Sequence, residues 1–165
     1  MIRMHRLLEL IAKLERFEIV PGVQLPPPMF EPAWSAEDVE SLRSIASVPG
    51  TFEELVRTYG GISAIDTAGG LAFLSVQQIR DHLNQDYGHL LRAVGDVATI
   101  PFASNGAGDY LLLAGDNSAV WKFNAHMHPV AEPKKIARSL ESFLDGLADD
   151  WECMLTGRGG PYSTS

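Results

Sequence analysis

A chain of 165 residues, 45% hydrophobic and 21% charged, has the size of one compact domain with a single core and is too apolar to stay disordered. Its formal net charge of −8, from 21 acids against 13 bases, opposes phosphate backbones and anionic lipid surfaces, so the expected partner is a basic protein, with no nucleic acid and no membrane. The lone cysteine, Cys153, excludes an intramolecular disulfide, and no run of about 18 apolar residues is present to span a bilayer.

The first segment, MIRMHRLLELIAKLERFEIV, places Ile2, Leu7, Leu8, Leu10, Ile11 and Leu14 at helical spacing between charges, which predicts an amphipathic helix over 2–17. Glu9, Lys13, Glu15 and Arg16 interrupt any apolar stretch of a signal peptide, so a cytoplasmic location is expected. Residues 21–32 hold Pro21, Gly22, Pro26, Pro27, Pro28 and Pro32. Proline fixes φ and lacks an amide donor, so this is an extended connector, a strap over the core or a link from the first helix. In SAEDVESLRSIASVPG, Ser35 and Asp38 resemble a capping box, and Val39, Leu42 and Ile45 mark the inner face of a helix. PGTFEELVRTYGG repeats the pattern. Thr51 and Glu54 form the expected cap, Phe52, Leu55, Val56 and Tyr59 the apolar face, and Gly60–Gly61 the positive-φ stop.

Residues 62–74 alternate short apolar runs around Gly69–Gly70, as a strand pair or a turn into a strand does. SVQQIRDHLNQ opens with Ser75 and Gln78 in capping-box relation and predicts a further helix, continuing brokenly to Val94. VATIPFA, DYLLLA and AVWKFN are rich in β-formers and separated by the turn signals SNGAG and GDNS, which predicts an antiparallel meander. RSLESFLDGLADDWECML reads as a closing helix with Leu140, Phe143, Leu144, Leu147 and Trp151 facing inward. Residues 1–156 are expected to form one domain and 157–165 a flexible tail. The sum is an α+β fold, an antiparallel sheet of about four to six strands flanked by helices.

Chemistry-bearing clusters are sparse. His126 and His128 would point the same way on a strand, with Glu132 as a conceivable third metal ligand, but Pro129 favours a loop, and no metal or cofactor is expected. His82 and His89 suit a solvated helix face, and no nucleophile or orienting partner completes a triad. Cys153 follows Asp149, Asp150 and Glu152, whose charge disfavours a thiolate, so a buried or half-buried thiol is expected. Asn105, Gly106, Gly108 and Asp109 suit a hairpin turn better than a phosphate cradle, since no basic residue and no following helix accompany them.

Acids concentrate in two segments. Glu31, Glu37, Asp38, Glu40, Glu53 and Glu54 stand against Arg43 alone in 31–54, and Glu141, Asp145, Asp149, Asp150 and Glu152 stand against no base in 141–152. Side by side, the two helices would make one acidic patch able to meet a basic partner. The candidate partner-binding residues are Glu37, Asp38, Glu53, Glu54, Asp109 and Trp121, although Asp109 also suits turn stabilisation and Trp121 a core position. No catalytic residue is identified, and a non-enzymatic binding protein is expected.

Taken in order, VPGTFEELVRTYGG, IPFASNGAGDYLLL, AVWKF and IARSLESFLDGL resemble the SUKH superfamily of fungal cell-wall-assembly regulators and bacterial immunity proteins. Pro49, Gly60 and Gly61 match the family's proline-led helix ending in a double glycine. Ile100, Pro101, Gly108, Asp109 and Tyr110 match its strand–turn–strand, Trp121 its next strand, and Ile136, Ala137, Ser139, Phe143 and Leu144 its closing helix. Tyr59 departs from the usual asparagine before the two glycines, and the first helix and the proline segment lie outside the pattern. The resemblance implies a SUKH-like α+β fold, no catalytic centre, and the role of an immunity protein that neutralises a cognate polymorphic toxin, such as a nuclease, by direct contact. An intracellular regulatory scaffold and a small metal-dependent enzyme using His126 or His128 are the alternatives.

Overall fold

The computed structural model describes residues 6, 9–10, 13, 18–20, 23–24, 29–63, 71–86, 88–105, 107–115, 119–127 and 132–156. Its centre is strand β7 (Val97–Ser104), buried from Thr99 to Ala103. Along one edge it pairs with β8 (Asp109–Ala114), and its other edge is shared by β6 (Ala93–Val94) at the start and β5 (Ala72–Phe73) at the end. Beyond β8 lie β9 (Val120–Asn124) and β10 (Lys134–Ala137), and beyond β5 lie β4 (Gly61–Ser63) and β3 (Met29–Glu31). Every pairing is antiparallel, and the order β10-β9-β8-β7-β5-β4-β3 follows the chain. A separate pair, β1 (Glu18–Val20) and β2 (Val23–Gln24), precedes them.

The expected α+β class and antiparallel meander are present, and among the described residues the sheet has eight strands where four to six were expected. The surplus comes from short pieces: the end of the proline segment forms β3, KKIA forms β10, and Ala93–Val94 turns back on β7 where a broken helix was expected. Gly95, at φ 59, supplies the left-handed residue that the two-residue turn between β6 and β7 requires. Pro101 cannot donate to a ladder, and the register of β7 on β8 shifts between Pro101 and Ala103, which makes room for it and leaves Phe102 as the extra residue.

The helices α1 (Ala36–Arg43), α2 (Gly50–Thr58), α3 (Val76–Leu83) and α4 (Leu140–Leu155) pack on this frame. The Ser35–Asp38 and Ser75–Gln78 capping boxes form as expected. The second expected cap does not. The N-cap of α2 is Pro49, with no side-chain bond, and the Thr51 hydroxyl instead donates to the Glu141 carboxylate on α4. Gly60 and Gly61 are not left-handed either, since positive φ occurs at Gly95 and Gly108 among the described glycines. They are needed for space. A Cβ on Gly60 would stand 1.5 Å from the Pro32 carbonyl oxygen, and one on Gly61 2.9 Å from the Ser75 nitrogen.

The core is a chain of aromatic edges. Trp34 meets Phe52 and Phe52 meets Phe102, both edge to face, and Phe102 also meets Phe73 and Phe143. On the expected inner face of α4, Leu140, Leu144 and Trp151 are buried and Phe143 and Leu147 partly so. Most of the expected first helix and all of 157–165 lie outside the described residues. Of that helix, Arg6, Glu9, Leu10 and Lys13 are helical and Leu10 is buried. No helix among the described residues is long and apolar enough to cross a membrane.

Candidate protein-interaction surface

Most of the candidate acids are already engaged within the fold. Asp38 accepts from the Ser35 amide at 2.9 Å and its hydroxyl at 2.8 Å, and lies 3.8 Å from Arg80 of α3. The Ser35 backbone bond, then its hydroxyl, hold the Asp38 carboxyl below the usual range. Arg80 also donates to Ser41 at 2.7 Å, which ties α3 to α1. Arg43 bridges α1 and α2, reaching Glu40 at 2.9 Å and Glu53 at 2.8 Å, and Arg57 holds the other Glu53 oxygen at 2.7 Å. Glu37 and Glu54 are exposed, at the start of α1 and on α2.

Helices α2 and α4 do meet, through Thr51 and Glu141, yet the charge between them is not left open. Arg43 and Arg57 take Glu53, while Arg6 donates to Asp149 at 2.7 Å and Glu152 at 2.5 Å. The segment 141–152 contains no base, but one arrives from residue 6, which local charge counting could not foresee.

Asp109 is the hub of the β7–β8 turn. Its oxygens accept from Asn105 at 2.8 Å, Asn124 at 2.7 Å and Lys122 at 3.0 Å. Burial alone would raise this carboxyl, but the bonds from Asn105, Lys122 and Asn124 outweigh it and hold it below its ordinary value. Gly108, at φ 84, turns the chain, and the His126 ring occupies the space of its missing Cβ. Trp121, opposite Lys135 across β9 and β10, is half-buried against the core. His126 is exposed and His128 lies outside the described residues. Among the described residues no three His, Cys, Asp or Glu side chains converge on a metal position. Cys153 is half-buried.

Three features escaped sequence reading. His82 is not on a solvated face. Its Nδ1 is 2.8 Å from the Tyr110 hydroxyl, the rings cross edge to face at 5.0 Å, and burial lowers its pKa against the opposing pull of Asp81. His89, by contrast, is exposed, with Nδ1 3.0 Å from the Asp86 carbonyl. Trp34 closes the proline segment onto α2: its amide donates to Val56 at 2.9 Å and its indole to the Gly60 carbonyl. Met29 and Phe30 stand exposed on β3, and their only signal was two large apolar residues at the end of a proline run.

The order of these parts is that of a known family. A family model, SMI1 / KNR4 family (SUKH-1), matches residues 36–146. The chain belongs to the SMI1/KNR4 (SUKH-1) family. That match takes in α1 to β10 and the first half of α4, including the Asp109 hub and Trp121, so the SUKH-1 frame holds β4 to β10, while β3 precedes it. No curated protein matches the chain.

Proposed function

We propose that this SUKH-1 chain is an immunity protein: it binds a cognate bacterial toxin with a basic surface, in the cytoplasm, and neutralises it by contact, not by catalysis. The reading rests on membership of a family of protein-binding modules and on one structural observation. Helices α1, α2 and α3 are anchored in the core by Val39, Leu42, Phe52, Leu55, Val56 and Ile79 and joined at the surface by Arg43–Glu53 and Asp38–Arg80, so Glu37 and Glu54 stand on a well-packed base. Rigid presentation limits the ordering cost of association, and a net charge of −8 draws a basic partner in. A nuclease active site, basic because it holds phosphates, is one such target.

The test is co-expression with the toxin encoded beside this gene. Restored growth and a co-purifying complex are expected; no rescue together with no complex refutes the role. The alternative of a regulatory scaffold in the manner of the fungal relatives predicts several weak partners in a pull-down from the native host in place of one tight complex.

A further inference from the structure

Among the described residues the sheet ends in two outer strands, β3 and β10, and the two are built differently. Lys134 and Lys135 of β10 are exposed, and Lys134 lies opposite Lys122. Lysines along an outer strand repel a second strand and guard the edge. Strand β3 carries no lysine. Its Met29 and Phe30 are 61% and 46% exposed. Phe30 is nonetheless held in place. Phe30 pairs with the buried Ile62 of β4 and rests on Tyr59, ring centroids 5.8 Å apart. Just downstream, the Gly60 amide donates to the Glu31 carbonyl at 3.3 Å and the Trp34 amide to Val56 at 2.9 Å.

The charge around this edge is acidic. Glu31 ends β3 and Glu37 begins α1, both exposed and neither in an ion pair among the described residues. Met29, Phe30 and Glu31 also precede residues 36–146, the part that the family model matches. We propose that β3 is a docking strand for a basic, extended segment of the partner, which adds to the sheet edge, covers Met29 and Phe30, and sets its cations against Glu31 and Glu37. This deepens, and for the partner's identity rests on, the immunity reading above. Strand addition takes affinity from main-chain bonds and specificity from alternate side chains, and an exposed pair of apolar anchors with an acidic rim fits that mode.

Two experiments separate the strand from the role. First, a synthetic peptide of alternating valine and lysine is titrated into the isotope-labelled full chain. The amide signals of residues 29–31 are expected to move, with exchange at Phe30 slowed by about tenfold or more. No movement, movement centred on β10, or equal movement with a valine–glutamate peptide overturns the proposal. Second, the double variant Met29→Ser, Phe30→Ser is compared with the wild type for binding the neighbouring gene's toxin, after thermal unfolding confirms that it folds. A loss of about tenfold or more in affinity supports the docking strand. Unchanged affinity overturns the strand and leaves the immunity role standing. A toxin that fails to bind the wild type overturns the role, and the peptide titration still decides the strand. Self-association of the wild type that the double variant abolishes would make the occupant a second copy and also overturn the proposal.

Discussion

Gly60 carries more constraint than its neighbours in sequence suggest. The Pro32 carbonyl lies where its Cβ would be, and its own carbonyl accepts the Trp34 indole, so one residue joins the proline segment to the end of α2. Gly60→Ala must push that backbone away, and a loss of about 3 kcal/mol in denaturant-measured stability is expected. Asp109→Ala strands the amides of Asn105 and Asn124 and the Lys122 ammonium, and about 2–3 kcal/mol should be lost. Titration gives these residues a signature. The Asp109 and Asp38 carboxyls sit below their ordinary values, so their stabilisation is complete above about pH 4 and is lost as pH falls through the folded-state values. His82 acts at higher pH. Its pKa is lowered, so the unfolded chain takes up the proton first and stability begins to fall as pH drops through about 6.5. His82→Gln should flatten that part of the stability–pH curve, and an unchanged slope would refute the assignment.

The elements divide by how local their causes are. Ser35 and Ser75 cap α1 and α3 through partners three residues away, so both caps were legible from the sequence. Ser35→Ala should cost about 1 kcal/mol in thermal or denaturant unfolding. The cap expected at Thr51 failed because Glu141, ninety residues on, takes that hydroxyl, and nothing in the local pattern announces a distant acceptor. The same division holds for strands. VATIPFAS and DYLLLA are long, apolar and bounded by turn residues, and were found. Strands β3, β6 and β10 are two to four residues long and are strands only because a neighbour offers an edge. The site divides likewise. Asp109 could be read as a turn residue from Asn105 and Gly108 nearby, whereas the neutralisation of Glu53 needed Arg57, just past the acidic run, and the exposure of Phe30 needed the sheet order.

For the whole molecule, the proposed role makes net charge the term that sets how a basic partner arrives. The double reversal Glu37→Lys, Glu54→Lys turns −8 into −4, and it should slow association with a basic toxin by about tenfold at low salt while leaving unfolding unchanged. An association rate insensitive to both the reversal and ionic strength would place the contact elsewhere. The strand order has a further consequence. Because the sheet runs along the chain, each strand adds to one already made, and sequence-local pairing of this kind favours rapid folding. Two steps are less local: β3 to β4 crosses α1 and α2, and β5 to β7 crosses α3, a short helical turn and β6. A ribosome making about 5–20 residues per second spends roughly 1–5 s on the second interval, during which the nascent β3–β4–β5 layer waits with its inner edge bare. A strand edge left bare for that long is open to pairing with a neighbouring nascent chain.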